Sequence, residues 1–128
     1  LIEEIVTSLP EDYPYPVCVV QHMPESFTGK FAQRLNKNSY VEVLEAKSGE
    51  ILKGEKVIIG KGGWHLHISK KGSGIFSAKL VPNTMKRFFM PSVDELFLSA
   101  SKVFDCKRIM AVLLTGIGDD GADGMVEL

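Results

Sequence analysis

The stretch Ile109-Met110-Ala111-Val112-Leu113-Leu114 runs directly into Thr115-Gly116-Ile117-Gly118-Asp119-Asp120-Gly121, an apolar run ending in a glycine turn with two adjacent carboxylates where a helix should begin. Strand, glycine turn and helix in that order form the repeating joint of parallel α/β sheets, and ligands and catalytic groups collect at the carboxyl ends of such strands. Residues 109–114 therefore predict a buried strand with Asp119 and Asp120 at its end. A second joint lies near the other end of the chain. The apolar residues Val17-Cys18-Val19-Val20 stop at Gln21-His22-Met23-Pro24, so a buried strand over 17–21 places His22 at a strand terminus as well. Phe27, Phe31 and Leu35 then recur at i, i+4 and i+8, predicting an amphipathic helix that ends near residues 36–38.

The middle differs in character. Short β-like runs at Val41 to Glu45, Lys56-Val57-Ile58-Ile59, His65-Leu66-His67-Ile68 and Ile75 to Leu80 alternate with glycine turns and read as antiparallel hairpins. Lys70-Lys71-Gly72-Ser73-Gly74 is the clearest of these turns. Apolar spacing over residues 1–9 predicts a helix broken at Pro10, and Pro91 or Ser92 starts another that runs to Val103. The fold class that accommodates these parts is α/β: a doubly wound, mostly parallel, Rossmann-like sheet with an antiparallel hairpin region. With 128 residues, 45% of them apolar, one core and one domain are expected. Helical spacing already under way at Leu1, and a last helix of about two turns, read as an internal piece of a larger chain.

Charge and cysteines narrow the function. Fifteen Lys and Arg against sixteen Asp and Glu give a net charge of -1, which supplies no basic surface for nucleic acid. Cys18 and Cys106 have neither zinc nor disulfide spacing, so a reducing, cytoplasmic setting is expected. No apolar stretch approaches the roughly 18–20 residues that span a bilayer, and no membrane insertion is expected.

Each candidate site has a plainer structural reading beside it. His22 is either a core histidine or a general base at a cleft edge, and its place after a strand favours the second. Gly116, Gly118 and Gly121 match the dinucleotide pattern, yet an incoming pyrophosphate would face Asp119 and Asp120 at the helix start, where the dipole already favours the protein's own carboxylates. One of the two aspartates, Asp119 in particular, suits a helix N-cap. His65 and His67 share a strand face as paired metal ligands do, but lack an evident third ligand and read as structural or cleft-lining. A calcium loop beginning at Asp119 lacks the terminal Glu of that pattern. Lys86 and Arg87 read as a solvated face, and Phe88-Phe89-Met90 as a core plug or a partner surface.

Four blocks taken together resemble a known family. Val19-Val20-Gln21-His22-Met23-Pro24 with Phe27-Thr28, Phe31-Ala32 and Arg34-Leu35-Asn36 comes first; Gly62-Gly63 with His65-Leu66 follows; then come Pro91-Ser92-Val93-Asp94 with Leu96-Phe97, and Leu113-Leu114-Thr115-Gly116 with Gly118 and Asp120-Gly121-Ala122. In this order they are similar to the catalytic domain of the CheB chemotaxis methylesterases, over about residues 17–125. The resemblance implies a serine hydrolase that removes methyl esters from glutamates of chemotaxis receptors and deamidates receptor glutamines, with no cofactor and no metal. His22 falls on the family's catalytic histidine and Asp120 on its triad aspartate. Ile117 stands where a Met amide usually helps to form the oxyanion hole. The nucleophilic Ser of the family's Gly-x-Ser-x-Gly-Gly turn is not present in residues 1–128, nor are the last strand and the regulatory receiver domain. The chain thus reads as a partial catalytic domain, inactive alone, whose partners are methyl-accepting receptors and the receiver domain of its own parent chain. The competing reading is a non-catalytic module of the same fold that docks on a receptor or signalling protein.

Overall fold

The computed structural model describes residues 1–82, 91–114 and 120–127, apart from the side chain of Cys106. Helices α1 (Ile2–Thr7), α2 (Glu25–Asn38), α3 (Val93–Val103) and α4 (Ala122–Glu127) combine with strands β1 (Val17–Val19), β2 (Glu42–Glu45), β3 (Lys56–Ile59), β4 (His65–Gly72) and β5 (Ile75–Val81). Strands β1, β3 and β2 form a parallel sheet in that spatial order, with Val17 opposite Val57 and Val43 opposite Val57 on the other side. Strands β4 and β5 form a separate antiparallel pair from His65 opposite Val81 to Gly72 opposite Ile75.

Strand β3 is central, and all four of its residues are buried. Its pleat sends alternate side chains into two cores. Val57 and Ile59 face Val6, Ala32, Leu35, Val41 and Val43, which come largely from the helices α1 and α2 and strand β2. Ile58 faces Ala46, just after β2, together with Leu66 and Ala78 of the hairpin and Leu96 and Phe97 of α3. The sheet is therefore covered on both faces, as a doubly wound sheet is, with a hairpin taking part of the second layer. This architecture matches the α/β class expected from the sequence.

Four details depart from the sequence reading. Strands β2 and β3 are parallel neighbours rather than arms of a hairpin; β4 and β5 pair antiparallel, and Ile51 of the intervening crossover bridges antiparallel to Ser77 of β5. The ten residues 46–55 make this possible by crossing over the hairpin, where Ala78 N–H donates to Glu50 O (2.8 Å) and Leu52 N–H to Phe76 O (2.8 Å). Strand β1 is three residues long and only half-buried, because it forms one edge of the described sheet. Residues 109–114 form no strand: they pair with none of the described strands, and Met110 and Val112 are 88% and 60% exposed. An apolar run alone does not make a strand, since its N–H and C=O groups need a ladder partner.

Helix α2 forms where the spacing predicts it, with Leu35 buried and Phe31 against the core as expected, but the inner face is rotated away from Phe27. Thr28, Ala32 and Leu35 are the buried residues, and Phe27 is 55% exposed. A threonine sits in the stripe because its hydroxyl is doubly used, donating to Glu45 Oε2 (2.6 Å) and accepting the Gly62 N–H (3.1 Å). Hydrogen bonding removes the cost of burying the hydroxyl and lets it outrank a phenylalanine for the inner face.

Candidate active site

Strand β1 ends at Val19, whose carbonyl accepts the Gly60 N–H (2.8 Å), and the chain then crosses to Pro24, the N-cap residue of α2. His22 lies on this crossing. The turn after β3 holds the crossing from beneath. A Cβ on Gly62 would stand 2.5 Å from Glu25 N and 2.6 Å from Pro24 C, so only glycine allows the two backbones to approach this closely. Gly63 next to it has φ of +87°, the left-handed region that glycine enters without strain.

Ninety-eight residues along the chain from His22, Asp120 reaches it: His22 Nε2 and Asp120 Oδ2 are 2.7 Å apart. The imidazole side chain is 32% exposed and the carboxylate 9%. The carboxylate's other hydrogen bonds among the described residues come from the start of α3. Ser92 Oγ–H donates to Oδ1 (2.8 Å), Val93 N–H to Oδ2 (2.7 Å) and Asp94 N–H to Oδ1 (3.0 Å). Burial by itself raises the Asp120 pKa. The Asp94 and Val93 amides, the Ser92 hydroxyl and His22 together outweigh it, and the carboxyl is held below the ordinary aspartate value. Asp120 is therefore an anion that can only accept hydrogen bonds, so Nε2 of His22 carries the proton between them. In the neutral ring Nδ1 is then the basic nitrogen.

Of the two residues the sequence offers for the start of α3, Pro91 and Ser92, the N-cap is Ser92, and its Oγ accepts the Glu95 N–H (3.4 Å). Its own N–H donates to Nδ1 of the buried His65 (3.1 Å), which sets His65 as the Nε2–H tautomer. His67 takes a different partner, Glu95 Oε1, at 3.0 Å. The two histidines of β4 thus brace α3 from the same side, a structural role in agreement with the reading favoured from sequence. Among the described residues no group of three or more His, Cys, Asp and Glu is arranged to hold a metal ion.

Cys18, one of the two sulfur nucleophiles of the chain, lies within β1 against the second core, where burial pushes its thiol up to about 12. It is inert at neutral pH. A cavity of about 300 Å³ between α2 and β2 is lined by Gly29, Gln33, Asn36, Glu45 and Lys47 among others, and by neither His22 nor Asp120. Ile117, Asp119, Lys86, Arg87 and Phe88 to Met90 lie outside the described residues. The N-cap role expected near Asp119 and Asp120 takes an unexpected form: Asp120 caps α3, while the amides of Gly121 and Gly124 turn to Asp94. Sequence reasoning assigned no site role to Ser92 or Asp94. The Ser92-x-x-Glu95 capping box is the signal that marks this helix start, but nothing local says that its free amides face residue 120.

Comparison with known proteins agrees with this architecture. The chain is 44% identical over 126 residues to a protein-glutamate methylesterase/protein-glutamine glutaminase of Carboxydothermus hydrogenoformans, covering 98% of this chain and 36% of that protein. It is also 44% identical over 123 residues to one of Saccharophagus degradans, covering 96% and 33%. The chain thus spans about a third of the length of these curated relatives. The crystal structure of the Thermotoga maritima CheB methylesterase catalytic domain superposes with a TM-score of 0.90 at 36% identity, covering 98% of this chain and 66% of that one. The CheB methylesterase family matches residues 1–128 without a gap at either end, and the chain belongs to that family.

Proposed function

We propose that His22 and Asp120 are the general base and the orienting carboxylate of a serine hydrolase that removes γ-methyl esters from glutamates of chemotaxis receptors and deamidates receptor glutamines. The observation that carries this reading is the 2.7 Å contact between His22 Nε2 and Asp120 Oδ2, built between two loop ends 98 residues apart. The names of the relatives, protein-glutamate methylesterase/protein-glutamine glutaminase, support the substrate class.

Ester and amide hydrolysis share two difficulties, a weakly nucleophilic attacking hydroxyl and an oxyanion in the tetrahedral intermediate. A serine hydroxyl attacks the γ-carbonyl as Nδ1 of His22 takes its proton; the carbonyl reforms and methanol, or ammonia from glutamine, leaves with that proton. Water then attacks the acyl-serine, gives a proton to Nδ1, and the serine departs with it, leaving a free glutamate. Asp120 holds the ring in the Nε2–H tautomer and stabilises the imidazolium of each step. The backbone N–H of Ile117 is the proposed oxyanion donor.

None of the serines of residues 1–128 stands in a Gly-x-Ser-x-Gly-Gly turn; the chain spans about a third of the length of its curated relatives, and the proposed nucleophile and regulatory receiver domain lie in the remainder of a cytoplasmic parent protein. The test is methanol release from methylated receptor. The full-length protein is expected to release methanol, and residues 1–128 alone to release none. Absence of release by the full-length protein would overturn the proposal and leave a docking module in its place.

A further inference from the structure

Asp120 and Asp94 cap each other's helices. The Asp120 carboxylate accepts the Val93 and Asp94 amides at the start of α3, at 2.7 and 3.0 Å. In return Asp94 Oδ1 accepts the Gly121 and Gly124 amides at the start of α4, at 2.9 and 2.8 Å. Helix starts leave N–H groups without intrahelical acceptors, and here two carboxylates exchanged between two helices satisfy four such groups. Each carboxylate also sits at the positive end of its neighbour's dipole.

The exchange allows residues 120–124 one seat. A Cβ on Gly124 would lie 2.6 Å from Phe97 Cβ and 3.2 Å from Asp94 Cα, so α4 rests against α3 at backbone contact. Gly121 has φ of +101°, and a Cβ there would meet Leu113 Cδ1 at 2.7 Å and Val93 Cγ1 at 2.9 Å. Asp94 is 6% exposed, and its Oδ1 makes the two hydrogen bonds that hold this turn against α3.

We propose that Asp94 is a positioning residue for the His22–Asp120 couple: its carboxylate anchors the Gly121–Gly124 turn and so aims Asp120 Oδ2 at His22 Nε2. The proposal rests on the reading of Asp120 as the orienting carboxylate. Asp94 acts through Asp120 and needs no contact with substrate. Without its acceptor the turn loses two hydrogen bonds, and a displacement of about 1 Å at a catalytic group costs on the order of 100-fold in rate.

The experiment uses the full-length protein with Asp94→Ala, Asp94→Asn and, in parallel, Asp120→Asn, each assayed for methanol release per folded molecule. Asp94→Ala is expected to lower kcat by about 100-fold with KM unchanged. Asp94→Asn, which keeps an oxygen where Oδ1 accepts both amides, should recover most of that loss. A role in stability alone would lower the melting temperature in both variants and leave kcat per folded molecule intact, and that result overturns the proposal. Should Asp94→Ala fail to fold, Asp94→Ser, whose shorter hydroxyl falls short of both amides, decides the matter by the same split: reduced kcat supports the proposal and wild-type kcat refutes it. Normal turnover by Asp120→Asn would instead remove the hydrolase reading itself, whereas impaired Asp120→Asn beside normal Asp94→Ala would remove the positioning role alone.

Discussion

Replacing His22 with alanine in the full-length protein is expected to lower the rate of methyl ester hydrolysis by about six orders of magnitude, the scale seen when the base of a serine triad is deleted. The size of the effect follows from chemistry. Without an imidazole the attacking serine keeps its proton, and the leaving methanol has no acid to protonate it. The fold should survive, because the ring is 32% exposed and belongs to neither core cluster. The cost to stability is that of the one hydrogen bond to the Asp120 carboxylate, about 1.5–3 kcal/mol, because the three donors from the start of α3 remain. Methanol release and a urea melt on the same preparation separate the two effects. Turnover within tenfold of wild type, with an intact melt, would contradict the assignment of His22 as the base.

Asp120→Asn should cost about 10⁴ in kcat, equivalent to about 5 kcal/mol of transition-state stabilisation. Both carboxylate oxygens of Asp120 accept: Oδ1 from Ser92 and Asp94, Oδ2 from Val93 and His22. An asparagine offers one oxygen and one NH₂, and whichever position the NH₂ takes, it meets donors. Placed at the Oδ2 position it opposes the Val93 N–H and makes His22 Nε2 an acceptor, which moves the ring proton to Nδ1. The nitrogen needed as a base is then blocked.

The same substitution changes the pH dependence of stability. Because Asp120 has its carboxyl held below the ordinary aspartate value in the folded protein, it contributes stability that is fully present above the unfolded value, about pH 4, and is lost as pH falls through the folded one. The wild type should lose this contribution in that acid range, and Asp120→Asn should not. Urea melts from pH 7 down to about pH 2 measure the difference; parallel acid limbs would contradict the role of the α3 amides.

What the sequence made legible follows from what is local. The β1–α2 joint, the hairpin across Gly72-Ser73-Gly74 and the Ser92 cap all rest on short-range signals, and all three are present. Features that depend on distant partners were not legible. Residues 109–114 have strand composition but no ladder, and the inner face of α2 is set by Glu45 and Gly62, which periodicity within the helix cannot reveal. The antiparallel reading of β2 and β3 fails for a related reason: a crossover of ten residues carries no pattern that separates it from a long hairpin loop. At the site, family resemblance pointed to His22 and Asp120, but the service of Ser92 and Asp94 to residue 120 arises only when two helix starts meet.

The most direct test of the His22–Asp120 couple is the ¹⁵N–¹H correlation spectrum of His22 in the full-length protein at a pH where the ring is neutral. A proton bonded to Nε2 and an unprotonated Nδ1 are expected, with transfer of the proton to Nδ1 in Asp120→Asn. A ring that carries its proton on Nδ1 in the wild type, or a spectrum that Asp120→Asn leaves unchanged, would contradict the couple.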